Sequence, residues 1–180
     1  MNKYWTSVRN TQMQRIGIEV FGGNGTIETF SSLPRLYRDA MVTESWEGTH
    51  NVLCAQLHRD MGRYELHRPF LSQLEMRIAA SAHPLKAVLR QRCGALLAQA
   101  ALIAADRSES ATVAMRTWID QAMVTYQALC LVELAASQRD GGTEPLPDDV
   151  VALLLHLHPM RRDAERAVWW PSMPKPAPAD

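Results

Sequence analysis

The chain has 180 residues, 47% hydrophobic and 21% charged, which is enough for one domain, with or without a small appendage, and for a real core. Its 19 basic and 19 acidic side chains balance, so no global field draws it to nucleic acid or to an anionic membrane. Cys54, Cys93 and Cys130 are odd in number and far apart. They suit neither a disulfide framework nor a zinc knuckle, and they read as the reduced thiols of a cytoplasmic protein.

Helical periodicity runs through almost the whole chain, and strand signals are scarce. The opening Met1-Asn2-Lys3-Tyr4-Trp5 has no apolar signal core. Residues 3–21 read as a helix stopped by Gly22-Gly23, with Val8, Met13, Ile16, Val20 and Phe21 on its apolar face. A loop holding Gly25 and Pro34 leads to a short helix through Leu36–Ala40, then to a Glu47-Gly48 turn. Thr49 is placed to cap the next helix, which runs to about Arg63 with Val52, Leu53, Gln56, Leu57 and Met61 at helical spacing.

Pro69 marks a boundary. Beyond it, residues 70–82 form a helix stopped at His83-Pro84. A longer helix at 85–106 carries Leu85, Val88, Leu89, Leu96, Leu97, Ala100 and Ile103 on one face. Ser108 opens a third helix of about 30 residues, whose Met115, Trp118, Ile119, Met123, Tyr126, Leu129, Cys130 and Leu134 recur at three- and four-residue steps. That stripe reads as core rather than as a cofactor site. Gly141-Gly142 ends it, and Pro147-Asp148-Asp149 starts a short apolar helix to Leu157. After Pro159 an Arg-rich segment runs to Trp170, and a tail at 171–180 carries Pro171, Pro174, Pro176 and Pro178. No run reaches the roughly 18 apolar residues of a membrane span. The fold class is all-α in two parts, 1–68 and a helical bundle at 69–170.

The chemistry gathers in the first part. Gly22-Gly23-Asn24-Gly25, the Leu33-Pro34-Arg35-Leu36-Tyr37-Arg38-Asp39-Ala40 segment and Trp46-Glu47-Gly48-Thr49 follow one another within 28 residues. A carboxylate that removes a weakly acidic C–H proton needs a dry site that lifts its pKa, and Trp46 is adjacent to supply an apolar wall. Taken alone, Glu47 would read as a solvated turn residue, Gly22-Gly23 as a helix stop and Thr49 as a plain N-cap. Further on, Arg161, Arg162 and Arg166 stand beside Asp163 and Glu165 and read as a solvated helix face rather than a nucleic-acid site. His156 and His158 point to opposite sides of a helix, so no metal site is read.

Together these three segments resemble the C-terminal end of the flavin-binding helical domain of acyl-CoA dehydrogenases, and the resemblance covers about residues 3–66. It implies the end of that domain's four-helix bundle, followed here by a second small bundle. It implies FAD as cofactor and an acyl-CoA thioester as substrate in fatty acid metabolism. Glu47 would take the substrate's α-proton while flavin N5 takes the β-hydrogen as hydride. It further implies that Gly48, Thr49 and Asn51 approach the flavin's diphosphate region. Gly22, Gly23 and Gly25 would meet the adenosine-diphosphate end of a flavin held mainly by a neighbouring subunit. Arg35, Tyr37 and Arg38 would be structural, pairing with Asp39 and packing the turn. Glu19 departs from the Gln that many relatives carry, and with Trp-Glu-Gly downstream it brings the alkylation-response branch nearest; Glu-Gly-Thr-His is close to the glutaryl type. The family also implies an oligomer and electron-transfer flavoprotein as acceptor.

The family's N-terminal domain, its β-domain and the earlier helices of the bundle have no counterpart among these residues. Three readings follow: the C-terminal portion of a dehydrogenase that needs a separate N-terminal half; a non-catalytic helical interaction module; or a piece of an alkylation-response flavoprotein with a nucleic-acid-binding bundle. In each, residues 1–30 should leave an apolar patch exposed unless later helices fold back over it.

Overall fold

A computed structural model describes residues 1–108, 110–158 and 160. The Arg-rich segment from 161 to Trp170, with its Arg161/Arg162/Arg166 cluster, and the proline tail lie outside the described residues. Every regular element among the described residues is helical: α1 (Asn2–Phe21), a 3-10 turn (Gly22–Thr26), α2 (Leu33–Ser45), α3 (His50–Tyr64), α4 (His67–Ala80), α5 (Lys86–Ala105), α6 (Ser110–Asp140) and α7 (Asp148–Leu157). The chain is all-α, as its periodicity implies, and no helix among the described residues is long and apolar enough to cross a membrane.

Local chemistry sets most of the boundaries. Gly22 takes φ 57° where α1 stops, and its N–H bonds to the Glu19 carbonyl. Pro34 lies in the first turn of α2, where a missing N–H costs nothing. Gly142, at φ 70°, ends α6, and Asp148 and Asp149 sit in the first turn of α7, where the helix dipole favours them. One boundary moves. Pro69 lies inside the first turn of α4 rather than between helices, because that turn's N–H groups have no intrahelical partner anyway. The break falls at Glu65, which turns left-handed at φ 52°.

α5 and α6 form the centre. α5 buries Leu89, Cys93, Leu96, Ala100 and Ile103 along one side, and it packs against α4 and α6. Val88 and Leu97, expected on that face, are exposed on its flanks. α6 buries all five residues from Gln121 to Thr125, so it is enclosed nearly all round by α3, α4, α5 and α7. Trp118, 1% exposed, anchors it and donates its indole N–H to the Leu96 carbonyl at 2.9 Å. The Met115/Trp118/Met123/Tyr126 stripe lies in or against this core. Leu134, beyond its end, is exposed.

The core continues across residue 68: Tyr4, Trp5, Cys54 and Met61 join residues of α4 to α7 in one hydrophobic cluster. α3 approaches α5 closely at Gly62, where a Cβ would stand 3.3 Å from the Ala104 carbonyl, and His58 Nε2–H donates to the Ile103 carbonyl at 2.9 Å. α1 departs from its expected face. Its first two turns bury Tyr4, Trp5 and Ser7, because α6 reaches that end and packs there. Beyond them Met13, Ile16, Val20 and Phe21 are 50–75% exposed. With Ile27 and Phe30 they form the apolar patch that the sequence led us to expect.

Candidate functional site

The candidate residues fall into two groups at opposite ends of α1. Nineteen residues separate Lys3, which touches the Glu47 turn, from Gly22, a span of about 28 Å at the helical rise of 1.5 Å per residue.

At the far end, Gly22–Thr26 wind into a 3-10 turn closed by the Thr26 hydroxyl donating to the Gly23 carbonyl at 2.8 Å. The three glycines are there for different reasons. Gly25 is buried, and a Cβ on it would overlap the Ile18 carbonyl oxygen and stand 2.9 Å from Ile18 Cα. Gly22 needs its positive φ. Gly23 has neither constraint, and a Cβ there would meet nothing within 4 Å. Glu19 pairs with Arg15 at 3.3 Å one turn before the loop, so its carboxylate is partly neutralised by an arginine. Arg38 pairs with Glu28 across the loop rather than with Asp39, because successive residues on a helix diverge.

At the near end, α2 stops at Trp46, whose N–H bonds to the Val42 carbonyl at 3.0 Å. Trp46 itself is extended. The next two residues both take positive φ, Glu47 at 56° and Gly48 at 106°. For glycine this is free. For glutamate the left-handed region costs about 1–2 kcal/mol. Glu65 is the other positive-φ residue with a side chain among the described residues, and it ends α3 as its C-cap. Glu47 lies past an already extended residue, so helix termination does not account for it. Its carboxylate is exposed, and Trp46 is 62% exposed beside it. The apolar wall expected from Trp46 is therefore not closed by the described residues.

Thr49 is the N-cap residue of α3, but among the described residues its hydroxyl makes no capping bond. Asn51 is exposed in the first turn. The first N–H groups of α3 thus receive no capping bond from Thr49, and the N-terminus of a helix so left suits an anion. His50 is half-buried, stands edge-on to the Tyr4 ring at 5.3 Å, and its Nε2 finds no partner among the described residues. Burial holds its pKa below the ordinary 6.5. The residues that sequence reasoning missed are Lys3 and Tyr4. Lys3 Nζ donates to the Gly48 carbonyl at 3.2 Å and to the Glu44 carbonyl at 3.3 Å. Tyr4 donates its hydroxyl to Asp120 of α6 at 3.1 Å. Only the fold joins them to a turn more than forty residues away, so no local pattern could have found them.

Residues 1–62 match the family model described as acyl-CoA dehydrogenase, C-terminal domain. The chain is 46% identical over 57 residues to acyl-CoA dehydrogenase family member 11 of Caenorhabditis elegans, covering 32% of this chain and 9% of the relative. It is 43% identical over 53 residues to the putative acyl-CoA dehydrogenase AidB of Escherichia coli (strain K12), covering 27% of this chain and 10% of that one. The match thus spans about a tenth of each curated relative. No solved structure matches the chain significantly.

Proposed function

We propose that this chain supplies the C-terminal helical part of an FAD-dependent acyl-CoA dehydrogenase, with Glu47 as the general base. The observation that carries the proposal is the strained, outward presentation of Glu47, since strain unexplained by the fold points to function. In the proposed reaction the Glu47 carboxylate takes the α-proton of an acyl-CoA thioester. Bound FAD supplies the hydride acceptor at the β-carbon. The residues present fit one edge of that cofactor: the free N–H groups of α3 behind Thr49 and Asn51 suit a diphosphate. Gly22 and Gly23 leave open space for close backbone approach. Because the two groups lie at opposite ends of α1, each would serve a different cofactor copy, which suits an oligomer.

A base working near neutral pH needs a dry surround, and Trp46 and Glu47 are open to solvent in this chain. The exposed Met13, Ile16, Val20 and Phe21 offer the surface against which the rest of such an enzyme would pack. The test is the visible absorption spectrum of this chain alone and co-expressed with a polypeptide carrying the family's other domains. Flavin absorption only in the complex, bleached by an acyl-CoA, is the expected result. Ile16→Glu should abolish the complex while leaving the isolated chain folded. Glu47→Gln should keep the flavin and lose turnover by a factor of about 10²–10⁴. Turnover retained in Glu47→Gln would remove the base assignment. No flavin in either sample would favour a non-catalytic interaction module.

A further inference from the structure

We propose that Lys3 is a positioning residue that holds the Glu47 turn in its left-handed shape, and that α6 anchors it there; the catalytic consequence rests on reading Glu47 as the base. The turn has two residues in succession at positive φ, a conformation that persists only where its surroundings over-determine it. Lys3 is the group that does so. Its ammonium reaches across from α1 to the carbonyls of Glu44, in the last turn of α2, and Gly48, on the far side of Glu47. One cation therefore spans both shoulders of the turn. The Glu44 contact also places positive charge at a helix C-terminus, where the dipole favours it.

Lys3 can act as a fixed strut because its neighbours are fixed. Tyr4 and Trp5 are 3% and 4% exposed, and Tyr4 is bonded to Asp120 of α6. The Ser7 hydroxyl donates to the Lys3 carbonyl at 2.8 Å. The same Tyr4 ring packs against His50, the first residue of α3. The helices that follow the family-matching segment thus reach the Glu47 turn through α1, and they set where its carboxylate points.

The test is residue-resolved amide exchange on the full chain. The Trp46 and Leu53 amides, which close α2 and open α3, bracket the turn. Lys3→Met removes the ammonium with little change in volume, and exchange at both amides should rise about tenfold while the α5 core amides at Cys93 and Leu96 stay unchanged. Lys3→Arg should restore protection. In the flavin-loaded complex, Lys3→Met should lower kcat with KM and flavin content unchanged, and Lys3→Arg should recover it. Unchanged exchange at Trp46 and Leu53 would overturn the strut. Exchange that rises together with the α5 amides would reduce Lys3 to a general stabiliser and also overturn it. Raised exchange at the turn alone, with full turnover in Glu47→Gln, would overturn the base reading and leave the strut standing.

Discussion

Replacing each glycine of the Gly22–Gly25 turn by alanine should give three different outcomes. A Cβ at Gly25 would overlap the Ile18 carbonyl oxygen and lie 2.9 and 3.0 Å from Ile18 Cα and C, all backbone atoms inside α1. A rotamer change cannot relieve that contact, so Gly25→Ala should cost about 1–3 kcal/mol, the usual range for overpacking. At Gly22 space is open, but φ is 57°. With ψ at −139° this backbone lies outside the left-handed helical well, in a region that favours glycine, so a strain of about 1–3 kcal/mol outweighs the gain of about 0.4–1 kcal/mol from the stiffer unfolded chain, for a net loss of up to roughly 2 kcal/mol. At Gly23 neither term opposes the substitution, so only the unfolded-chain effect remains and Gly23→Ala should stabilise by about 0.4–1 kcal/mol.

Urea midpoints at a common m-value read these differences, and exchange at the Gly22 amide, bonded to Glu19, reads any opening confined to the end of α1. Gly23→Ala as destabilising as Gly25→Ala would refute the packing argument. So would Gly25→Ala with both midpoint and exchange unaltered. In the reconstituted enzyme, a Gly23→Val chain that stays folded but holds flavin less tightly would show that its open side serves an outside partner.

Trp118→Ala should cost about 3–5 kcal/mol, the range for emptying a fully buried aromatic site, read as a lowered urea midpoint; a loss under 1 kcal/mol would mean the α5–α6 contact is not the centre of the core. Stability should fall as pH drops through the histidine range. Burial holds His50, His67 and His158 below the ordinary 6.5, so the unfolded chain binds their protons first, and the loss starts near pH 6.5 and continues down to the depressed folded values. Glu133 adds a second step. Its hydrogen bonds to Arg77, at 2.9 Å and 2.5 Å, hold its pKa below the ordinary 4.5, so its contribution is present above pH 4.5 and is lost on further acidification. Urea midpoints at pH 7.5, 5.5 and 4 check both steps, and a midpoint that rises from pH 7.5 to 5.5 would contradict the sign.

Much of the fold was readable because local signals and burial agree. The stops at Gly22 and Gly142 and the seven helices of the described residues follow from chemistry within a few residues. What the sequence could not show depends on which helix faces which. The apolar positions of α1 marked one stripe but not how far later helices would cover the helix: α6 packs on its first two turns, so Tyr4 and Trp5 are buried and Ile16 is not. On α6 a single stripe was too narrow, because neighbours on several sides bury Gln121 and Thr125 with the apolar residues. The Glu47 motif was legible as a string of residue types, whereas its left-handed backbone and the Lys3 contact were not. Those two features come from a pairing across 45 residues of chain.

Within residues 1–62 the fold accounts for some identities and not for others. Gly25 and Gly62 are required by close backbone approach, and Ala40, Cys54 and Met61 by burial. Gly23, Trp46, Glu47, Thr49 and Asn51 have no such reason, since each is exposed, and Glu47 carries a backbone penalty as well. A residue choice that breaks a local rule without improving packing belongs where something outside the chain makes use of it. All five lie near the two ends of α1, Asn51 in the first turn of α3 and the others in or beside the connecting turns. The later bundle therefore supports the family-matching segment from one side and leaves the proposed site residues open. That division suits the role proposed for the chain, and it is also why the isolated chain should fold without flavin.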